Sequence, residues 1–290
     1  MRTIPDPRNP AVVKWLGGLQ PAWTMLDWDS FLALHFPPSP NHGPIRLATD
    51  VTPDEIQQSP IARNALIVLR AAAAGPGLKL TATGNLSRAV VSDMLDRAEF
   101  PGFDKELHRE YSKVINEPEF YPLFFLRHVL QVAKLARRFK GHLSTTRAGR
   151  EAMDQPGLQA LPAKLFRTSF WDLDLDYFSP SLHGEWPQND IGSILWSLSV
   201  AAHEWQTSER LTRLCTVPIA ELFDRDWDTG SSATERQILR PLTWFGVLEA
   251  RDAEKQPDEY VARRLYRKTA LFDRLLSFDI QLPSQNTPRH

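Results

Sequence analysis

The side chains best able to do chemistry in this chain fall into two runs of opposite charge. Between Glu119 and Glu151 there is no carboxylate, while Arg127, Gln131, Lys134 and Arg138 stand at i, i+4, i+7 and i+11. On a helix that spacing places all four on one face, with Phe125, Val129, Val132 and Leu135 on the face opposite. Lys140, His142, Arg147 and Arg150 continue the positive charge beyond it. Arginine and glutamine make paired hydrogen bonds to base edges, and lysine neutralises phosphate, so the run has the chemistry of a nucleic-acid surface. The plainer alternative is a solvated amphipathic face. A second, weaker cluster is Arg263, Arg264, Arg267 and Lys268, whose alternation also fits an exposed strand.

The other run is acidic. From Thr168 to Ser208 there is no Lys or Arg, and Asp172, Asp174, Asp176, Glu185, Asp190 and Glu204 accumulate. Read as a strand, the three aspartates share a face, but neighbours are then about 7 Å apart and one ion can draw in at most two. Read as a helix, Asp172 and Asp176 pair while Asp174 points away. His183, Glu185, His203 and Glu204 complete a metal site only if the fold gathers them, and Ala202-His-Glu-Trp-Gln206 lacks the second histidine of a zinc-protease helix. No metal ligand, cofactor or catalytic residue is assigned. The segment Asp172–Asp190 is expected to be solvated or to face a protein partner.

Other candidates are weaker. Gly75-Pro-Gly77 lacks the spacing and the Lys-Ser/Thr of a phosphate loop, and Ser144, Thr145 and Thr146 have no nucleophile-elbow context. His128 reads equally as a packed helix residue. Cys215, the one cysteine, reads as a small buried apolar side chain, and with no possible internal disulfide it fits a reducing compartment.

The elements that must position these residues recur twice. Ser59-Pro60 opens a helix whose apolar spacing is Ala65, Val68, Leu69 and Ala72. A short strand at Lys79–Thr81, a Gly84-Asn85 turn, and a helix capped by Ser87 follow. A helical run from Phe124 then passes into a Leu135–Phe139 strand, a Lys140-Gly141 turn, a His142–Thr145 strand and a closing helix over Thr146–Met153. Later, the stretches Ile191–Ala202 and Ser208–Leu214 precede strands at Gly246–Ala250 and Val261–Thr269 and a helix from Ala270. Leu165, Phe166, Phe170, Leu173 and Tyr177 also have helical spacing. Residues 1–59 are dense in proline yet rich in Trp and Leu, which predicts an irregular arm with short helices packed on the body.

Helix, strand, helix, helix and hairpin is the order of a winged helix. The expectation is a mostly α (α+β) chain with two winged-helix-like units and short β-hairpin wings: an arm over 1–59, a first unit over 60–156 and a second over 157–290. With 290 residues, 42% hydrophobic and 24% charged, the chain can bury ample core. A net charge of −1 argues against coating nucleic acid over the whole surface, but allows a local basic patch. The N-terminus has no secretory core, and the most apolar run, Ala65–Ala74, is short and broken by Arg70. A soluble, cytoplasmic protein with no membrane partner is expected.

Leu80-Thr-Ala-Thr-Gly-Asn-Leu86 and Gly141-His-Leu-Ser-Thr-Thr-Arg-Ala-Gly-Arg150 resemble a helical and winged-helix module of uncharacterised bacterial proteins, some labelled plasmid pRiA4b ORF-3-like. Arg240-Pro-Leu-Thr-Trp-Phe-Gly-Val-Leu-Glu249 and Tyr266-Arg-Lys-Thr-Ala-Leu-Phe272 fit the tail of that pattern. The resemblance spans 60–280 and implies no activity and no catalytic residue; the β-rich domain that gives the label its name is not evident. The leading expectation is a non-enzymatic, DNA-associated or regulatory protein of a mobile element or host-defence system. Arg127, Gln131 and Arg138 would face a groove of double-stranded DNA, and Lys134, Lys140, Arg147 and Arg150 would anchor its phosphates. The alternative is a protein-interaction scaffold, and a metal-dependent enzyme comes third.

Overall fold

The computed structural model describes residues 6, 8–39, 43–112, 114–223, 227–255, 262–280 and 282. The chain is mostly α-helical with small antiparallel sheets. By packing, it divides into two units: one of residues 48–173 and 244–246, the other of 1–47, 174–243 and 247–290. Both therefore draw on segments distant in sequence, a different division from linear boundaries at 59/60 and 156/157.

In the unit of residues 48–173, helix α1 is Pro60–Ala73, with proline in the first turn, where its missing N–H costs no hydrogen bond. Strand β1 (Leu78–Lys79) and helix α2 (Arg88–Arg97) follow. Ser87 stands at the N-cap of α2, but its hydroxyl makes no capping bond, contrary to expectation. Helix α3 (Tyr121–Val132) leads to strands β2 (Ala136–Phe139) and β3 (His142–Thr145). The sheet order is β1-β3-β2. Lys140 and Gly141 both have positive φ, at 47° and 76°, as a tight hairpin turn requires.

In the other unit the order recurs. Helix α4 (Ile191–Ala201), strand β4 (Gln206–Thr207) and helix α5 (Ser208–Cys215) precede a helical stretch over 229–244 and strands β5 (Leu248–Asp252) and β6 (Arg264–Lys268). The sheet order is β4-β6-β5, the counterpart of the first. Of the second hairpin's expected strand, Val261 lies outside the described residues, as do residues 40–42 of the proline-rich loop.

The expected helix across 165–177 is interrupted. Gly157–Arg167 is α-helical, Thr168–Asp172 is a π-turn, Leu173 and Asp174 are extended, and Leu175–Phe178 is one further turn. The side chain of Asp174 starts that turn by accepting from the N–H groups of Asp176 and Tyr177. Helical spacing alone does not register such a capped restart.

The N-terminal arm is divided: its residues up to 47 belong to the second of these units and 48–59 to the unit of residues 48–173. Trp23 is buried against Phe31 and Val217, and its indole donates to the Thr216 carbonyl at 2.9 Å. Ile45–Leu47 pairs antiparallel with Leu276–Phe278, a small sheet between the two ends of the chain that no local pattern announces. At Gly192, on α4, a Cβ would stand 1.9 Å from the Leu34 carbonyl oxygen and 2.7 Å from Ile45 Cδ1. The arm's backbone thus approaches the helix more closely than any side chain permits. Gly192→Ala should cost about 1–3 kcal/mol by overpacking. It should also speed proteolysis within residues 8–39 relative to the native chain, a pair of effects that thermal unfolding and timed digestion will measure together.

Candidate nucleic-acid interface

The four residues spaced for one helical face do not share one. The chain leaves α3 through a left-handed turn: Lys134 has φ 60°, its N–H bonds to Gln131 O at 3.0 Å, and Leu135 N–H bonds to Leu130 O at 2.9 Å. This pair of bonds is a Schellman-type helix stop. Lys134 is therefore a helix terminator and Arg138 a strand residue, so the i+7 and i+11 positions leave the helix altogether.

Arg127 and Gln131 are on α3, but Arg127 is buried and Gln131 half-buried. Arg127 is buried and ion-paired to Glu117, which is buried as well. Its other nitrogens reach Gln131 Oε1 at 2.7 Å and Asn85 Oδ1 at 3.5 Å. The second oxygen of Glu117 accepts the Leu86 N–H at 2.6 Å. Burial pushes the Glu117 carboxyl above its usual range, while Arg127 and the Leu86 N–H pull the other way. Of the twelve residues of α3, only Val132 is exposed. Phe125 and Tyr121 pack on Trp244, with ring centroids 5.3 and 5.6 Å apart. Arg127 and Gln131 are thus not presented to a groove, a correction whose physical reason is the carboxylate of Glu117, ten residues upstream.

The segment Leu80–Leu86 also acquires a structural role. Leu80 bridges Leu86, Gly84 N–H bonds to Thr81 O at 2.9 Å, and Asn85 and Leu86 supply one side of the Arg127–Glu117 network. The guanidinium of Arg138 lies so close over Gly84 that a Cβ there would stand 1.6 Å from Nη2. With φ at +85°, Gly84 is required on conformational grounds too.

What the fold does bring together is the outer face of the first hairpin. Strand alternation and register put Arg137, Phe139, His142 and Lys79 on one side, with Phe139 opposite His142 and His142 opposite Lys79. Leu78, Leu143, Ala136 and Thr145 fill the other side and are buried. Phe139 is 49% exposed, with the Arg137 guanidinium carbon 5.2 Å and Lys140 Nζ 5.4 Å from its ring centroid. Among the described residues, no carboxylate pairs with Lys79, Arg137 or Lys140. Arg150 donates to the Thr145 carbonyl at 3.3 Å, and Arg147 is exposed but paired with Glu151 at 2.8 Å. Sequence reasoning missed Lys79, Arg137 and Phe139. Continuing the strand's two-residue period from Ala136, in place of the helix's, would have found the last two.

The second hairpin is charge-balanced. Arg267 pairs with Glu249 at 2.6 Å, Arg264 with Asp252 at 3.5 Å and Lys268 with Asp273 at 2.9 Å. Arg251 and Arg267 lie 4.3 and 4.7 Å from the Trp205 ring centroid.

The acidic residues are engaged locally. Asp176 accepts from Ser181 N–H at 2.7 Å and Gln237 Nε2 at 3.2 Å, and Asp190 is buried 3.4 Å from His35 Nε2. Among the described residues no three His, Cys, Asp or Glu side chains are grouped to hold a metal ion. Cys215 is buried, and burial pushes its thiol far up. No described helix is long and apolar enough to cross a membrane.

The first repeated unit is also where known proteins match. Residues 57–158 match the family model described as the Y4jL N-terminal domain. The uncharacterised protein y4jL of the bacterium Sinorhizobium fredii is 33% identical over 112 residues, 39% of this chain and 50% of that protein. The chain thus spans about half the length of this relative. No solved structure matches.

Two predictions test the core network. Arg127→Met leaves Glu117 buried without its cation and should cost about 3–5 kcal/mol in denaturant unfolding. His128, whose Nδ1 lies 2.8 Å from the Phe124 carbonyl, is pushed down to about 4 by burial first and then by nearby Arg127. The unfolded chain takes up this proton near the ordinary 6.5 and the folded chain only near 4. Stability is therefore full at neutral pH and falls as the pH drops through that window, by about 2 kcal/mol for a ring still partly open to water. His128→Gln should flatten this part of the curve, and the difference between the two curves isolates the ring from Glu117.

Proposed function

We propose that this chain is a non-enzymatic, DNA-associated protein that lays the hairpin of its first winged-helix-like unit on the phosphate backbone. The observation that carries this reading is the outer face of β1, β3 and β2, where Arg137 and Lys140 flank exposed Phe139 and Lys79 lies across His142 on the same side, all three cations without a carboxylate partner among the described residues. Unpaired cations on a rigid sheet neutralise phosphates at little entropic cost, and an exposed aromatic ring between them can meet a sugar or a base edge. Because α3 is covered, contact runs through the wing rather than through a helix in the groove. Affinity is then mainly electrostatic and only weakly sequence-dependent. The winged-helix description of both units, the resemblance to plasmid pRiA4b ORF-3-like proteins and a cytoplasmic setting belong to the same proposal.

A second reading, a protein-interaction scaffold, has its own support. Tyr177 and Leu182 are exposed within the acidic segment, and so are Asp174 and Glu185. Exposed apolar side chains in a carboxylate-rich segment suit a basic partner.

Fluorescence anisotropy with a random-sequence duplex separates the two. Three phosphate contacts give a slope of about −2.7 in log K against log salt, a fall on the order of 40-fold from about 50 to 200 mM. Lys79→Glu, Arg137→Glu and Lys140→Glu together should abolish binding, while Arg147→Glu, already paired, should change it little. No binding at low salt, or binding that the triple reversal leaves intact, defeats the DNA reading.

A further inference from the structure

We infer that a cleft between α1 and the end of α2 binds a small amphipathic anion, with an acid group on an apolar body. The cleft has a volume of about 380 Å³, within the roughly 300–1,000 Å³ of small-molecule sites. Three arginines line it, Arg63, Arg70 and Arg97, against a single carboxylate, that of Glu99. Arg63 and Arg70 stand two helical turns apart on the same side of α1, with Ile67 between them. Its apolar walls include Ile56, Leu66 and Leu158.

The arginines are only partly engaged. Arg63 gives one hydrogen bond to the Gln57 carbonyl at 2.8 Å, and Arg97 is ion-paired with Asp93 at 2.9 Å through one nitrogen, leaving other N–H groups of each available. Arg70 has no ion-pair or hydrogen-bond partner among the described residues. Asn64 is buried at the cleft, and its amide is consumed by the backbone of Glu99, at 2.7 and 3.3 Å. That pair of bonds fixes the position of the Glu99 backbone at the end of α2. The cleft therefore sets cationic groups beside an apolar wall.

A guanidinium fork fits a carboxylate or a phosphate, and the walls ask for an alkyl or aromatic body. A purely inorganic anion would leave that apolar surface wet. The cleft lies apart from the hairpin face in its residues, and the inference does not rest on DNA binding.

The test is calorimetric titration of the full chain with octanoate, octyl phosphate, octanamide and inorganic phosphate. At least one of the two octyl anions should saturate the site, about tenfold or more tighter than octanamide or inorganic phosphate, and which of them binds tighter tells carboxylate from phosphate. Arg63→Gln with Arg70→Gln should weaken binding by about tenfold or more, and Ile67→Glu should block it by setting a carboxylate between the two arginines. Arg70 is exposed and Arg63 half-buried, so the double variant should keep its fold; if it does not, Ile67→Glu alone decides. No saturable binding of either octyl anion, octanamide binding equally well, or variants that bind like the native chain would overturn the inference.

Discussion

The ion pair between Arg127 and Glu117 is the constraint on which the first unit depends. Removing both charges from water is expensive, and the cost is recovered only where every lone pair and N–H finds a partner. Here Glu117 receives Arg127 and the Leu86 N–H, and Arg127 also reaches Gln131 and Asn85. The network joins α3, the loop before it and the turn after β1. It makes α3 a core helix, and that moves the unit's surface chemistry onto the hairpin. Because the pair is satisfied in one arrangement of three segments, it also opposes any rotation of α3 that would turn its polar edge outward.

How much of this was legible in sequence depended on the type of signal. A helix with an apolar repeat, such as α1, and the hairpin with its Lys140-Gly141 turn follow from local patterns, because period and turn chemistry are properties of neighbouring residues. The polar stripe misled for two reasons. The charge of Arg127 suggests exposure, whereas its partner, Glu117, lies in an irregular segment without period. The spacing was also carried past Lys134, where the backbone turns left-handed and the helical period ends. The pairing of Ile45–Leu47 with Leu276–Phe278 joins residues more than two hundred positions apart, and no short window contains it.

The two hairpins show why the repeated order does not repeat a function. Each closes a three-stranded sheet with its last strand in the middle. In the second, Arg264, Arg267 and Lys268 find Asp252, Glu249 and Asp273, and Trp205 lies against Arg251 and Arg267. Those cations are spent on the sheet itself. In the first, the 31 residues from 120 to 150 contain no carboxylate at all, so the strands cannot neutralise themselves. The architecture is shared, and the distribution of acidic residues decides which copy can meet an anion.

The same distinction explains Arg138, which lies beside the cationic face without belonging to it. Arg138 is opposite Leu143 in register, so alternation directs it to the side of the sheet that holds the core. It escapes burial at the sheet's end by laying its guanidinium over Gly84, where no side chain intervenes. That position is at the Thr81–Asn85 turn, whose Asn85 in turn accepts from Arg127. Arg137, one residue earlier, has the same chemistry but the opposite side of the strand, and it keeps its charge for solvent. On a strand, a shift of one residue is enough to move an arginine from one side of the sheet to the other.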